Sequence, residues 1–316
     1  MAKTLTIIEA RALCKSFGAT RAVDMLDLSI LQGEIFGLVG PDGAGKTTVL
    51  RMLATILNPT SGHATVTGFD SVKQAESIKA HLGYMSQQFS LYGDLSVLEN
   101  LNFFADIFGI KNKVRKQRID RLLDFSRMRP FGTRRAAQLS GGRQKKLALA
   151  CTLIHEPKIL LLDEPTTGVD PVSRREFWDI LTELHIAGTT IVVSIPYMDE
   201  AERCSRVGLM YRGRLLVCDT PNRIRKMVDG ELLALHPENP QRAATLLKGQ
   251  PGIIEIQTYG DKLHIFVDAA VMRGPEIIAH LAQAGMNCVG PWLAQPRMEE
   301  AFISLIGKQA EMTIGG

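Results

Sequence analysis

Short apolar runs alternate with stretches of helical period along the first two thirds of the chain, the pattern of a mixed α/β domain. Residues 5–31 read as short strands with a turn near Gly18, and residues 34–39 as a short apolar strand entered through Gly33. A Gly-rich turn then leads into a helical stretch over 47–57, stopped by Asn58-Pro59. Residues 64–67 and 82–85 predict further strands. From about 89 to 155 the period becomes helical: 97–108 and 114–128 carry apolar residues at i, i+3, i+4 spacing. A third helix runs from Ser140 to about His155, before Glu156-Pro157. The apolar run 159–162 ends on two carboxylates and reads as a buried parallel strand. A helix over 174–185, a strand over 190–194 and a hairpin of 207–211 with 215–217 around Arg212-Gly213 complete this part.

A second unit begins near Gly230, which divides the chain into residues 1–229, with a helical insert at about 89–155, and residues 230–316. Strands are predicted at 232–236, 253–258, 262–267 and 288–293, with helices at 240–248, 275–284 and 297–306. That order, βαββαβ plus a terminal helix, is a ferredoxin-like α+β arrangement. It holds no catalytic constellation and reads as a packing or regulatory appendage. No repeat of 20–50 residues is present.

Composition narrows the setting. The 316 residues are 45% hydrophobic and 22% charged, with a net charge of +4. The basic residues are dispersed, so nucleic acid is not expected as a partner, and the densest run, residues 111–118, reads as the solvated face of a helix. Five cysteines, odd in number and widely spaced, point to neither a disulfide framework nor a zinc site; a reducing compartment fits them. The seven histidines form no ligand cluster. The first eleven residues do not read as a signal peptide, and no apolar run approaches the ~18–20 residues that cross a bilayer. Any membrane role must come through a partner.

Three segments carry chemistry. Gly40-Pro41-Asp42-Gly43-Ala44-Gly45-Lys46-Thr47 fits G-x-x-x-x-G-K-[ST] between a strand and a helix, the context that motif requires. Glycines let the backbone curl so that successive N–H groups face a phosphate, and the helix N-terminus adds partial positive charge. Lys46 would reach the β/γ oxygens, the Thr47 hydroxyl would coordinate Mg²⁺, and Thr48 would touch the α-phosphate. The strand over 159–162 then delivers Asp163 to the Mg²⁺ shell and places Glu164 to polarise an attacking water. Leu139-Ser140-Gly141-Gly142-Arg143-Gln144 opens a helix and offers a second phosphate site, although Ser140 could be a simple N-cap.

The order of these segments resembles the ATP-binding cassette (ABC) family over residues 5 to about 225, and the Leu-Ser-Gly-Gly element separates that family from other P-loop proteins. The resemblance implies a P-loop NTPase cassette with a helical subdomain, ahead of the ferredoxin-like domain. It assigns Phe17 to stack on adenine, with a core phenylalanine as the plainer reading. It assigns Gln87 to contact Mg²⁺ and water and to link to a membrane subunit, with Gln88 next door leaving an ambiguity of one residue. Gly168-Val169-Asp170-Pro171 matches the loop that touches an opposing cassette. ATP is then sandwiched between two cassettes, the loop of residues 40–47 in one facing Ser140, Gly141 and Gly142 of the other, so a second cassette, in trans or fused in tandem, is implied. Half a site is not expected to hydrolyse efficiently.

One position departs from the family. Pro196, in Ser194-Ile195-Pro196-Tyr197-Met198-Asp199-Glu200-Ala201, stands where the resemblance calls for a histidine. Proline has no side-chain donor for the γ-phosphate. Arg143 and Asp42 also replace commoner residues. These features, and the ending Pro296-Arg297-Met298-Glu299-Glu300-Ala301-Phe302-Ile303, resemble the first of two fused cassettes in ABC-2-type multidrug export ATPases. The expectation is an ATP-hydrolysing subunit, peripheral on the cytoplasmic face of the inner membrane, that works with ABC-2-type permease subunits in drug or other small-molecule efflux. It would be a piece of a tandem protein or one member of an unequal pair, slow on its own. The cassette alone does not exclude import. A non-catalytic nucleotide-binding partner and a soluble ABC ATPase acting on ribosomes or DNA are the alternatives. Lys46→Ala should abolish ATP uptake measured by titration calorimetry on the intact chain.

Overall fold

The computed structural model describes residues 5–88 and 91–314. Two twelve-residue strands, β1 (Thr6–Phe17) and β2 (Thr20–Leu31), pair antiparallel across a turn at Gly18. The expected short strands are thus two long ones. Ala12 and Met25 take positive φ, 46° and 48°, and the register shifts between Ala10 and Leu13, so bulges break the alternation without ending the strand. β3 (Ile35–Val39) is buried at every residue and leads through the glycine loop into α1 (Lys46–Leu53). β4 (Ser61–Val66) and β5 (Phe69–Asp70) complete a four-stranded antiparallel sheet ordered β2-β1-β4-β5.

A short α2 (Ala75–Lys79), which the sequence pattern did not predict, precedes β6 (Leu82–Met85). The helical insert contains α3 (Val97–Ile107), α4 (Asn112–Phe125) and α5 (Gly141–Leu153). α3 starts at a capping box: the Ser96 hydroxyl accepts from the Glu99 N–H while the Glu99 carboxylate accepts from the Ser96 N–H. β7 (Ile159–Asp163), α6 (Pro171–Ile186), β8 (Thr190–Ile195), the short α7 (Met198–Ala201), β9 (Arg206–Tyr211) and β10 (Arg214–Asp219) follow. The second sheet runs β10-β9-β3-β8-β7-β6, with β9, β3, β8, β7 and β6 parallel. Arg212 and Gly213, both at positive φ, make the two-residue turn between β9 and β10.

One core joins the two sheets. α1 supplies Val49, Leu50, Met52 and Leu53, the parallel sheet Phe36, Leu38 and Leu161, and the antiparallel sheet Leu13, Leu26 and Ile30. The helix that follows the glycine loop is therefore clamped along its length.

The chain divides into a unit ending at Cys218 and one beginning at Asp219, eleven residues before the boundary expected at 229/230. The short α8 (Pro221–Arg225) accounts for the difference, because it packs against the terminal helix α11 (Met298–Ile314). Between them lie β11 (Glu231–Pro237), α9 (Pro240–Leu247), β12 (Ile253–Tyr259), β13 (Lys262–Val267), α10 (Ala270–Gln283) and β14 (Cys288–Ala294). Their sheet, β12-β13-β11-β14, is antiparallel throughout, the strand order of a ferredoxin-like domain. α10 begins five residues before the expected start and carries Pro275 inside it. Proline favours the first turn of a helix, but this helix carries it further in.

α9 and α10 share a core with Leu233, Leu235, Leu263, Ile265 and Val267. Alternation turns His264 to the opposite face, where its Nδ1 lies 2.9 Å from Oε1 of Glu300 at the start of α11. Glu300 is fully buried, and its other oxygen accepts the Arg297 N–H at 2.6 Å. Glu300→Ala would orphan both groups. It should cost about 1–3 kcal/mol, read as a lower unfolding midpoint for the second unit in a denaturant titration.

Candidate nucleotide-binding site

The site forms where parallel strands end. Val39 pairs with Ile195 and Asp163 with Ser194, so the glycine loop, the acidic pair and the segment around Pro196 emerge along one carboxyl edge, the usual place for a ligand in an open α/β sheet.

The loop's glycines are sterically required. A Cβ on Gly40 would stand 2.3 Å from the Met210 carbonyl oxygen, and one on Gly45, at φ 103°, 2.4 Å from that of Ala22. Ala44 is buried and its carbonyl accepts the Gly213 N–H at 3.1 Å, while the Gly213 carbonyl accepts from Asp24 at 2.8 Å. β2 and the β9–β10 turn thus brace the loop from outside. Pro41, Asp42 and Gly43 are exposed at its crest, and Thr47 and Thr48 are half-buried in the first turn of α1. The first N–H groups of that helix have no partner within it and are free for an anion.

Lys46 is only 4% exposed. Its ammonium donates to the carbonyls of Gly40 (2.7 Å) and Pro41 (3.1 Å) and lies 3.5 Å from Oε1 of Glu164. Thr47 Oγ1 donates to Oδ1 of Asp163 at 2.9 Å, and the Tyr84 hydroxyl reaches Oδ2 at 3.4 Å. Burial, then the Asp163 charge, push the Tyr84 phenol above its ordinary value. Oε2 of Glu164 accepts from Gln87 Nε2 at 2.7 Å and from Thr167 Oγ1 at 3.3 Å. Glu164 takes a φ of 45°, a left-handed conformation that costs a side-chain-bearing residue about 1–2 kcal/mol. A hydroxyl oxygen and a carboxylate oxygen within hydrogen-bond distance, joined by a side-chain amide nearby, are a hard oxygen donor set that fits Mg²⁺. Among the described residues no cluster of three or more histidine, cysteine or acidic side chains forms a metal site without further ligands.

Of the expected residues, Lys46, Glu164 and Gln87 form one set of contacts and Thr47 and Asp163 another, and the Ser194 hydroxyl bridges the two. Gln87 turns its amide onto Glu164, whereas Gln88 offers a main-chain carbonyl to the Ser86 hydroxyl. Phe17 is 51% exposed with the Lys15 ammonium over its ring at 5.2 Å, so it is a surface aromatic and not a core one. Ser140 is the N-cap residue of α5, but its hydroxyl makes no capping bond. A Cβ on Gly141 would lie 3.8 Å from the Gly168 carbonyl oxygen, and one on Gly142 would meet Ser173, in the first turn of α6, at 2.5 Å. Among the described residues no hydrogen bond or ion pair joins Ser140, Gly141 or Gly142 to the glycine loop of the same chain. Asp170 caps α6, accepting from Val172 and Ser173, whose N–H groups hold its carboxyl below the usual range. Pro196 directly follows β8 and is half-buried.

Two contributors were not found in the sequence. Ser194, expected only as the end of a strand, touches both acidic residues. Lys145 on α5 donates to the Gln87 carbonyl at 2.6 Å. Burial lowers its ammonium's pKa while Asp163 and Glu164 pull the other way. Neither belongs to a motif; register and helix phase alone bring them here.

A Leu-Ser-Gly-Gly helix start between phosphate loop and acidic strand sets one class apart among P-loop folds, and this unit is an ATP-binding cassette. The chain belongs to the ABC transporter ATP-binding proteins, a family of ATPases: residues 23–167 match the family described as ABC transporter. It is 45% identical to the probable multidrug ABC transporter ATP-binding protein YbhF of Escherichia coli, over 90% of this chain and 49% of that protein. It is 32% identical to the daunorubicin resistance ATP-binding protein DrrA2 of Streptomyces coeruleorubidus, over 97% of both. The chain thus spans about half the length of the first relative and nearly all of the second. Among solved structures it resembles cbiO1 of Clostridium perfringens, part of the cbiONQ ABC transporter complex. There the TM-score is 0.66 and the identity 26%, over 71% of this chain and 92% of that one. No helix among the described residues is long and apolar enough to cross a membrane.

Gly45→Ala should weaken ATP binding by at least about tenfold, a loss of ~1.4 kcal/mol, because backbone must shift to admit the methyl. Gly43→Ala, with nothing within 4 Å of its Cβ, should cost less. Calorimetric titration of both variants checks the order.

Proposed function

We propose that this chain is the energy-coupling subunit of an exporter of drugs or other small molecules, binding Mg-ATP at residues 40–48 and hydrolysing it slowly for want of a histidine at position 196. The observation that carries this reading is the pair of contact sets Lys46–Glu164–Gln87 and Thr47–Asp163, tied to each other by the Ser194 hydroxyl. The names of the relatives, multidrug for one and daunorubicin resistance for the other, support the direction and the class of cargo.

Main-chain N–H groups of residues 43–48 hold the β-phosphate. The Lys46 ammonium exchanges the Gly40 and Pro41 carbonyls for β/γ oxygens, and Phe17, exposed at the end of β1, stacks on the adenine. Thr47 and Asp163 would hold a magnesium ion, with Gln87 beside it, and its charge would offset that of the phosphates. Glu164 takes a proton from the attacking water, its carboxylate aimed by Gln87 and Thr167. Ser140, Gly141 and Gly142 of a second cassette, in trans or fused, close over the γ-phosphate and add donors where charge develops. The unit ending at Cys218 acts as the nucleotide-binding domain and the unit beginning at Asp219 as an accessory domain. The helical insert near Gln87 passes closure and reopening to ABC-2-type permease subunits, which hold the chain peripherally at the cytoplasmic face of the inner membrane. Nucleic acid has no part in this reading.

Pro196 removes one transition-state donor, a loss worth about 10²–10³ in rate at comparable sites. Single-turnover hydrolysis by the purified chain should be slow, should disappear in Glu164→Gln, and should rise at least about tenfold in Pro196→His. Brisk turnover indifferent to Glu164→Gln would overturn the assignment of the base. A Pro196→His variant no faster than wild type would show that the missing histidine is not what limits the rate.

A further inference from the structure

Ser194 is 1% exposed and stands on β8 directly opposite Asp163 on β7. Its hydroxyl oxygen lies 2.8 Å from Oδ1 of Asp163 and 2.8 Å from the main-chain nitrogen of Glu164. The two bonds can have only one polarity. The Glu164 N–H is a donor, so the serine oxygen accepts from it; the serine O–H then points to the carboxylate. A single hydroxyl therefore ties the side chain of one acidic residue to the backbone of the next.

The tie falls at a demanding place. Glu164 adopts a left-handed φ of 45°, and that turn sends its carboxylate toward Lys46 and Gln87 instead of along the strand. The bond from the Glu164 N–H is made in this conformation. Oδ1 of Asp163 also accepts from Thr47. When Thr47 Oγ1 turns to another ligand, Ser194 is the donor that keeps Oδ1 in place. Tyr84, at 3.4 Å from Oδ2, is too distant to do so alone.

We propose that Ser194 is a positioning residue for the hydrolytic site, which sets the relative geometry of Asp163 and Glu164 through one buried hydroxyl. With Pro196 contributing no donor two residues further on, preorganisation at this strand end falls to Ser194. The inference rests on the reading of Asp163 as magnesium ligand and Glu164 as base. Groups that orient ligating side chains typically matter by 10–100-fold in metal affinity or activity.

The experiment uses the full chain with Ser194→Ala, Ser194→Thr and Ser194→Cys. For the alanine variant, affinity for a fluorescent ATP analogue in EDTA should stay within about twofold of wild type. Half-saturation by Mg²⁺ should rise by about tenfold or more, and the single-turnover rate should fall by about 10–100-fold. Threonine, which keeps the hydroxyl, should retain most of the rate; cysteine, a weak donor of similar size, should behave like alanine. If the alanine variant does not fold, the threonine–cysteine comparison decides. Three results would overturn the proposal: an alanine variant with unchanged Mg²⁺ dependence and rate, equal rates for cysteine and threonine, or an equal loss of analogue affinity with and without Mg²⁺. Glu164→Gln separates the two readings. If that variant is inactive while Ser194→Ala is not, only the role of Ser194 fails; if Glu164→Gln keeps the wild-type rate, the reading beneath it fails.

Discussion

Lys46 carries its ammonium group to a place that water barely reaches, and three oxygens, from Gly40, Pro41 and Glu164, stand in for the lost hydration. A buried charge is tolerable only when its partners are held in place, and much of the cassette serves that end. β3 and α1 hold the lysine from either side of the loop. β7 brings Glu164 within 3.5 Å, and β8 fixes the strand end from which Glu164 turns. A triphosphate offers the same ammonium denser negative charge than two neutral carbonyls do. The rest site is thus arranged to be displaced by the ligand it awaits.

Much of this organisation was legible in the sequence. The spacing of Gly40, Gly45, Lys46 and Thr47 reflects steric needs that the structure displays: the Met210 and Ala22 carbonyls lie where side chains on Gly40 and Gly45 would go. The run at 159–162 is apolar because β7 is buried along its whole length, so the two carboxylates after it could be placed at a strand end without coordinates. The order of elements in the second unit likewise follows from the alternation of period along residues 230–316.

What stayed hidden depends on register and phase. Nothing near Ser194 marks it as facing Asp163; only the pairing of β7 with β8 shows it. Lys145 looks like one more charge in a basic stretch, and helix phase alone carries it to the Gln87 carbonyl. The lengths of β1 and β2 do not show in the pattern because bulges at Ala12 and Met25 disturb the alternation by which a strand is recognised. The pattern starts α10 at Pro275, a residue that favours a first turn, whereas the helix begins at Ala270, which is buried in the core with Leu233 and Ile265. The boundary between the units moved because α8, too short to read from periodicity, finds its partner some seventy residues later.

The bracing of the glycine loop has a consequence for how far this grip can be transplanted. Ala22 lies on β2, Met210 on β9 and Gly213 in the turn beyond it, so the walls that shape a loop of six residues come from stretches nearly two hundred positions apart. A strand–loop–helix fragment excised around Lys46 would keep every letter of its motif and lose the mould that curves it. The smallest portable version of the grip therefore reaches from β2 to β10, close to the whole cassette.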